Sequence, residues 1–217
     1  MLSVICGFFV CSGFPNLSSL VVDVTEEIPL SERILDAAEQ VLRRHGVEKT
    51  NVVDIARLLE MSHGNIYRHF PSKKAILDAV AARWLRAVTV PLSAIADDSV
   101  KPASENLARW FAALAKAKQH KVLADPELFR VYHSIAKTMR EVVEEHVAGL
   151  QGQVEKIIRR GVATKEFSET LEPKSAARAF LQATAAFHHP ALIELQAPAE
   201  EEAQAVFQIL LAGMMRR

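Results

Sequence analysis

The stretch MSHGNIYRHFPSKKAILDAV, residues 61–80, decides the fold prediction. Its first half places Ile66 and Phe70 four positions apart, so that both lie on one edge of a short helix. The other positions carry groups that form hydrogen bonds, namely Ser62, His63, Asn65, Tyr67, Arg68 and His69. A helix that buries one narrow edge leaves its remaining surface for contact with another molecule. We therefore expect residues 62–70 to form a contact helix.

The sequence before this stretch predicts two further short helices. Residues 31–46, SERILDAAEQVLRRHG, begin with a capping serine and end with basic residues and Gly46, which are typical start and stop signals. Residues 51–60, NVVDIARLLE, begin with Asn51 and carry Asp54 three positions later, a variant of the capping box. Together with residues 62–70, these segments predict a helix-turn-helix with a bend of about three residues.

The rest of the chain also shows helical periodicity. Apolar residues recur at helical spacing through residues 73–88, 104–118, 125–160, 173–190 and 199–215. We expect the first of these helices to end beyond Pro91, in the segment SAIADDSVKPAS at 93–104, the long one to begin at Asp125 and Pro126, and Gly161 to stop it. The sequence contains no alternating strand pattern, internal repeat or low-complexity tract. The predicted fold is all-α.

Composition limits the class of protein. Half of the 217 residues are hydrophobic, which fits an all-α chain with a buried oligomer interface, an internal cavity, or both. The formal net charge is zero, but residues 31–86 hold ten Lys or Arg against seven Asp or Glu. Because this positive excess is confined to the three-helix segment, any contact with nucleic acid is expected to be local to it.

The N-terminal segment is expected to lie outside the fold. Both cysteines, Cys6 and Cys11, lie within the first dozen residues, which excludes a disulfide framework and fits a reducing, cytoplasmic compartment. The opening MLSVICGFFVCSGF is apolar, but it lacks a basic leading region and is too short to span a bilayer. We expect residues 1–30 to be a flexible tail or the product of a start codon assigned too far upstream. A secretory signal is the alternative.

The polar surface of residues 62–69 suits double-stranded DNA. An α-helix fits the major groove, where amide and guanidinium groups bind base edges, while hydroxyls and lysines bind phosphates. Gly64 costs about 1 kcal/mol of helix propensity relative to alanine, but it lets the backbone approach a duplex closely. The stretch is therefore predicted to be a recognition helix. A capped helix trio with a purely structural role is the alternative.

The sequence ILDAAEQVLRRHGVEKTNVVDIARLLEMSHGNIYRHFPSKKAIL resembles the DNA-binding domain of the tetracycline-repressor (TetR) family of bacterial regulators. The resemblance extends over about 45 residues and rests on identity and spacing in all three helices. The matching features are ILDAA at 34–38, Gly46-Val47, Asp54-Ile55-Ala56, Ser62, Gly64, Tyr67-Arg68-His69-Phe70 and Lys73. The stretch RRGVATKEF at 159–167 also resembles a common segment of this family, whose remaining sequence is variable.

The resemblance implies an N-terminal three-helix helix-turn-helix domain, residues 31–76, joined to a larger helical ligand-binding and dimerisation domain, residues 77–217. The DNA-binding residues it implies are Asn51, Ser62, His63, Gly64, Asn65, Tyr67, Arg68, His69 and Lys73. Asn51 and Lys73 are expected at the phosphate backbone, while for Ser62 and Arg68 the alternatives are a helix cap and a solvated charge. One departure is Glu60, which replaces the usual glycine of the bend. A non-glycine residue in the left-handed conformation is penalised by about 1 kcal/mol.

The second domain is expected to dimerise and to sense a small molecule. A helix-turn-helix dimer presents two recognition helices about 34–36 Å apart, which matches the half-sites of a palindromic operator in double-stranded DNA. The last two predicted helices carry small residues and a wide apolar face, suited to a four-helix homodimer interface or to an internal core. An unidentified effector is expected among the middle helices, in a pocket of Trp84, Trp110, Phe111, Phe129, Tyr132, His133, Met139 and Phe180.

Other classes of function find less support in the sequence. It contains no phosphate-cradling glycine loop and no nucleophile elbow, so we expect no enzyme activity and no cofactor. His188 and His189 are adjacent and therefore about 100° apart on a helix. That spacing disfavours a shared metal and favours a capping or interface role. Glu141, Glu145 and His146 predict a solvated helix face.

The sequence thus predicts a cytoplasmic, homodimeric transcriptional repressor without membrane contact, released from its operator by a small molecule. The alternative is a helical adaptor or ligand-binding protein that has lost sequence-specific DNA reading.

Overall fold

The computed structural model describes residues 28–124, 129, 133–134, 140–196 and 199–216. These residues form nine α-helices and one 3-10 turn, which confirms the all-α prediction. The helices are α1 Leu30–Lys49, α2 Val52–Leu58, α3 His63–His69, α4 Lys73–Asp97, α5 Ala103–Ala124, α6 Arg140–Ala163, α7 Pro173–Ala183, α8 Pro190–Gln196 and α9 Glu200–Met214, with the 3-10 turn Ala185–Phe187 before α8. The predicted helix start at Asp125 and Pro126 lies outside the described residues, as do residues 1–27 of the predicted tail.

The first three helices close around an apolar cluster that also takes in the start of α4. Its fully buried members are Ile34, Ala38, Leu42, Ile55, Ile66, Ile76 and Val80. Gly46 interrupts α1 with a φ of 73°, a left-handed conformation that glycine adopts without steric cost. The Thr50 hydroxyl then donates to the Gly46 carbonyl at 2.6 Å and ties the following turn to the helix. The helix-turn-helix is therefore a packed unit.

A second apolar cluster joins the rest of α4 to α5, α6, α7 and α9. Trp110 and Phe111 of α5 lie in its interior, where the Phe111 ring stacks on Phe207 with centroids 5.9 Å apart. The Phe180 ring packs edge-on against Phe111, with a centroid distance of 5.8 Å. Aromatic side chains of three helices thus fill the centre of the larger unit.

Helix α4 belongs to both clusters and runs past Pro91 into the segment predicted for its end. It continues to Asp97, because Pro91 is exposed and loses its hydrogen bond on the solvent side, while Leu92 and Ala96 are buried in the second cluster. By length and composition alone α4 could cross a bilayer, but it packs against α1, α5 and α6. The predicted units 31–76 and 77–217 therefore share one continuous helix.

Helix α6 passes its predicted stop at Gly161 and ends with Ala163. The glycine serves packing instead of termination, because a Cβ atom at this position would lie 2.3 Å from Cδ2 of the fully buried Phe167. The chain after α6 therefore folds back tightly over the helix end.

Candidate DNA interface and effector cavity

Helix α3 buries one edge and exposes the rest of its surface. Ile66 is fully buried in the first cluster and Phe70 is half-buried beside it. The exposed positions are Ser62, His63, Gly64, Tyr67, Arg68 and His69, and Asn65 is half-buried. Tyr67 keeps 44% of its surface accessible although it is a large aromatic residue. The predicted contact residues therefore form one outward surface, here called the α3 wall (Ser62, His63, Gly64, Asn65, Tyr67, Arg68 and His69).

Side chains at the start of the α3 wall contact neighbouring residues. The rings of His63 and Tyr67 meet edge to face with centroids 6.3 Å apart. Asn65 Nδ2 lies 4.0 Å from Met61 Sδ, a weak contact that leaves the amide available for a stronger acceptor. Ser62 occupies the N-cap position, but among the described residues its hydroxyl makes no capping hydrogen bond. The helix-cap alternative for Ser62 is therefore not realised.

The bend before α3 carries the strain that the sequence predicts. Glu60 has a φ of 54°, in the left-handed region, which confirms that a non-glycine residue occupies this conformation. Asn51 begins α2, and its Oδ1 accepts from the Val53 N–H at 3.1 Å. Asp54 does not complete the predicted capping box, because it accepts instead from Arg57 at 2.9 Å.

Gly64 is not required by the fold. A Cβ atom at this position would meet nothing among the described residues closer than Ser62 Oγ, at 4.0 Å. Its backbone dihedrals are helical, so alanine fits there without strain. A glycine with open space around it is consistent with close approach by another molecule.

Lys73 lies at the start of α4, next to the α3 wall. Its ammonium group donates to the Glu48 carbonyl at 3.3 Å and so links α4 to the end of α1. Ser72 caps the same helix, since its Oγ accepts from the Ala75 N–H at 3.1 Å. The predicted phosphate-binding residue is thus tied to the end of α1 and lies at a capped helix start.

Arg83 joins α4 to α1 farther along the helix. Its guanidinium donates to Asp36 at 2.7 Å, to Glu39 at 2.8 Å and to Glu32 at 3.2 Å. One cation therefore holds three carboxylates that lie on one face of α1.

The next residue, Trp84, lines a cavity of about 700 Å³ that lies between the middle helices. The aliphatic part of the wall includes Leu85, Val143, Val147, Leu150 and Leu181, and the polar part is formed mainly by Lys118, His146, His188, His189, Gln151 and Arg178. Phe129 and His133 also line it, so the structure brings together three of the predicted pocket residues, Trp84, Phe129 and His133.

The other predicted pocket residues lie elsewhere. Trp110, Phe111 and Phe180 are buried in the second cluster and are not part of this cavity wall. The Trp110 indole N–H donates to Gln153 at 2.8 Å, so the only polar side-chain atom of Trp110 already has a hydrogen-bond partner. Tyr132 and Met139 lie outside the described residues.

Lys118 and His146, polar residues of the cavity, are not among the predicted pocket residues. Lys118 is 5% exposed, and its Nζ lies 2.9 Å from His146 Nε2. Both residues continue apolar helical stripes, since Lys118 follows Leu114 by four positions and His146 precedes Leu150 by four. A polar residue at a buried position of an apolar helical stripe was the feature of the sequence that could have identified these two cavity residues. Glu141 and Glu145 are exposed as predicted, whereas His146 faces inward.

Burial controls the charge of these groups. Desolvation, with a smaller effect of the Lys121 charge, lowers the pKa of Lys118 to about 8. Desolvation and the charges of Lys118 and His188 lower the pKa of His146 to about 3. Lys118 is therefore charged and His146 neutral near pH 7.

His188 has a structural role at the end of α7. Its Nε2 lies 3.2 Å from the Leu181 carbonyl and 3.2 Å from the Thr184 hydroxyl. The ring therefore satisfies a carbonyl of the last helical turn, which is the capping role that the sequence favours. Desolvation and the Lys118 charge lower the pKa of His188 to about 4, so this ring is neutral as well. Among the described residues, no group of three side chains is placed to hold a metal ion.

The outer faces of α7 and α9 carry small and apolar residues. Ser175, Ala179 and Ala183 recur every four positions along α7 and are exposed. On α9, Ala205 and Ala212 are exposed on either side of Ile209, which keeps 73% of its surface accessible. The two faces therefore offer close approach to another surface.

Two protein-family models match the chain. The family described as "Bacterial regulatory proteins, tetR family" matches residues 34–80, and "Tetracyclin repressor-like, C-terminal domain" matches residues 103–208. The two ranges cover more than two thirds of the chain and include the helix-turn-helix and most of the cavity wall. No curated protein matches the chain in sequence.

Solved structures share the fold at low sequence identity. SmeT, the repressor of the Stenotrophomonas maltophilia multidrug efflux pump SmeDEF, superposes with a TM-score of 0.65 at 23% identity, covering 86% of this chain and 90% of SmeT. The fatty acid degradation regulator FadR from Bacillus halodurans gives 0.62 at 19% identity, covering 88% and 99%. FadR from Bacillus subtilis, in complex with stearoyl-CoA, gives 0.60 at 19% identity, covering 84% and 98%. At these identities the similarity establishes the fold.

Proposed function

The chain belongs to the TetR family of bacterial DNA-binding regulators, and on that premise we propose that it is a cytoplasmic, homodimeric repressor released from a palindromic operator by a small molecule. The observation that carries this proposal is the α3 wall. A short helix that anchors Ile66 and leaves polar side chains outward is the geometry of a recognition helix in the major groove.

The roles that we propose for the DNA-contacting residues follow from the chemistry of their side chains. Asn65 is assigned to base reading because its carboxamide can bind adenine through two hydrogen bonds. Lys73 and Asn51 are assigned to phosphates, since they lie at the starts of α4 and α2 on either side of α3. His63, Tyr67, Arg68 and His69 complete the contact surface, with Ser62 and Gly64 at the point of closest approach.

We assign the dimer interface to the outer faces of α7 and α9. Isologous pairing places each face against its own copy, and small residues such as Ala179 and Ala205 allow the helices to approach closely. The exposed Ile209 supplies apolar area that pairing would bury. Two α3 walls would then address two half-sites of one operator.

We propose that the effector releases the protein from its operator by displacing α4. An effector in the cavity contacts Trp84, and the preceding residue Arg83 ties the same helix to α1 of the DNA-reading unit. Such an effector changes operator affinity only if it binds the two arrangements of α4 with different affinities. The B. subtilis FadR structure holds stearoyl-CoA within the same fold, which is compatible with an effector site here.

A gel-shift assay tests the DNA-binding half of the proposal. The full-length protein should shift the promoter region beside its own gene and not a fragment of the same composition in scrambled order. Tyr67→Ala and Lys73→Ala should each weaken the shift, while Lys116→Ala, at an exposed site on α5, should not. Binding that is indifferent to sequence and to these variants would favour the adaptor alternative.

Analytical ultracentrifugation tests the dimer. A wild-type dimer that Ile209→Asp converts to a monomer supports the α7–α9 assignment, because pairing would bury a carboxylate without a partner. A dimer that is unaffected by Ile209→Asp would place the interface elsewhere.

A further inference from the structure

The described wall of the cavity carries positive charge and no negative charge. Lys118 and Arg178 are its charged residues, four histidines accompany them, and no Asp or Glu lies among the described lining residues. Arg178 is exposed at the rim, whereas Lys118 is almost completely buried. A buried ammonium group without a carboxylate is costly unless something compensates it.

The Lys118 ammonium group donates one hydrogen bond among the described residues. An ammonium group has donors and no acceptor, so Lys118 donates to His146 Nε2 across 2.9 Å. The neutral His146 ring then carries its own proton on Nδ1. That buried nitrogen has no hydrogen-bond partner among the described residues. Because the two nitrogens of an imidazole ring point in different directions, this N–H lies away from Lys118, and the ammonium group itself retains two further hydrogens that require an acceptor.

We propose that the cavity binds an amphipathic monocarboxylate, whose carboxylate accepts from the Lys118 ammonium group while its apolar tail lies along the aliphatic wall. This inference rests on the proposed function, because it specifies the chemical class of the effector. The charge favours a monoanion, since Lys118 is the only buried lining residue among those described that carries a full positive charge. The tail would contact Val143, Val147, Leu150 and Leu181.

Isothermal titration calorimetry on the full-length protein at pH 7, without DNA, tests the charge preference. The probes are decanoate, 1-decanol and decylamine, which share a ten-carbon tail and differ in the charge of the head group. Decanoate should bind at least about tenfold more tightly than 1-decanol, because a charge-assisted hydrogen bond is worth that factor or more. Decylamine should bind most weakly, because its ammonium group repels Lys118.

Two variants test whether Lys118 and His146 cause the preference for decanoate. Lys118→Met keeps the side-chain length without charge, so it should lower decanoate affinity at least about tenfold and leave 1-decanol affinity within about twofold. His146→Phe should lower decanoate affinity less, because it keeps the Lys118 charge and removes only the neutral ring nitrogen to which Lys118 donates. Lys116→Met is the matched control on the exposed side of α5 and should bind all three probes like the wild type.

The fluorescence of Trp84 gives a second measure of ligand binding, because Trp84 lines the cavity while the other tryptophan, Trp110, lies outside it. The inference would be overturned by equal binding of decanoate and 1-decanol, by binding of decylamine alone, or by no binding of any probe. It would also be overturned by a preference for decanoate that survives Lys118→Met. These results are independent of the gel-shift assay. Selective binding of decanoate without an effect on operator affinity would contradict effector release and leave the inference standing.

Discussion

The Arg83 guanidinium donates to the Glu39 carboxylate across 2.8 Å and thereby joins α4 to α1 one residue before Trp84 contacts the cavity. Lys121 extends this arrangement, since its ammonium group lies 4.7 Å from the centre of the Trp84 ring and Glu39 is the carboxylate that stabilises its charge. Charges on three helices therefore surround the point where α4 passes from the DNA-reading unit to the cavity. A displacement of Trp84 would act on α1 through contacts that already exist.

Replacing Arg83 tests this junction. Arg83→Met leaves Glu32, Asp36 and Glu39 on one face of α1 without their cation, so we expect a loss of about 1–2 kcal/mol in the free energy of unfolding. Urea denaturation at fixed protein concentration measures it, and added salt should reduce the difference because salt screens the carboxylates. Arg86→Met is the control, since Arg86 is exposed one turn later on the same helix. Equal losses in the two variants would contradict the junction.

Gly64→Ala separates folding from DNA contact. Because open space surrounds this position, alanine should leave stability unchanged or raise it by up to about 1 kcal/mol. Operator affinity should nevertheless fall, since a methyl group would stand between the backbone and the duplex. Fluorescence anisotropy with a labelled operator measures the affinity. A variant that is more stable and binds DNA like the wild type would remove the close-approach explanation for Gly64.

Lys73 and Asn65 should differ in what they control. Lys73→Ala is expected to weaken binding to all DNA sequences and to reduce the slope of log affinity against log salt by about one. Asn65→Ala should instead change the preferred bases at one position of each half-site. Competition binding over a panel of operator variants measures both effects. An unchanged base preference in Asn65→Ala would assign that residue to the phosphate backbone.

Gly161 and Gly152 provide a matched pair on α6. Gly161→Ala should destabilise the protein by about 1–3 kcal/mol, because the new Cβ would meet the Phe167 ring inside contact distance. Gly152→Ala should stabilise it by about 0.5–1 kcal/mol, since no described atom lies within 4 Å of its Cβ position. Urea denaturation of both variants at one protein concentration is the measurement. Equal effects would show that the Phe167 ring can move aside.

Mild acid should destabilise the protein through its buried histidines. The pKa of His146 is lowered to about 3 and that of His188 to about 4, below the ordinary value of 6.5. Between pH 6.5 and pH 5 the unfolded chain therefore binds protons that the folded chain does not, and stability falls as pH falls. Each ring contributes about 1.5 kcal/mol over that interval, because the unfolded imidazole is already half protonated at pH 6.5. Carboxylates titrate mainly below it.

Burial, and to a smaller extent the charges that face these rings, lowers the pKa of both and keeps them neutral. Lys118 lies against His146, and Lys118 and His189 act on His188. His146→Phe should therefore flatten the dependence of stability on pH between 6.5 and 5, while His120→Gln, at an exposed site, should not. Chemical denaturation at pH 7 and at pH 5 measures the difference. A slope that is the same in wild type and His146→Phe would contradict the neutral, buried ring.

The helix-turn-helix could be predicted because its signals are local. Capping residues, the glycine at Gly46 and the spacing of Ile66 and Phe70 all act within a few positions of one another, and the structure places the helices there. Gly161 misled the prediction because tertiary packing outweighed a local stop signal. Buried Leu92 carries α4 past the proline, and Phe167 explains the glycine.

The cavity could be predicted only in part. Helical periodicity shows which residues turn inward, but core walls and cavity walls bury the same aromatic side chains, so it did not separate Trp110 and Phe180 from Trp84. Lys118 and His146 are 28 positions apart and meet only when α5 packs near α6. Their pairing depends on the way these helices pack, which no single helix pattern contains.

Selection of operators from a pool of random-sequence duplexes by the full-length protein tests the central claim most directly. If the α3 wall reads DNA as part of a dimer, the selected sequences will contain an inverted repeat, and Tyr67→Ala together with Asn65→Ala will abolish that enrichment. A wild-type pool without a shared motif, or a motif that both substitutions leave intact, would contradict it.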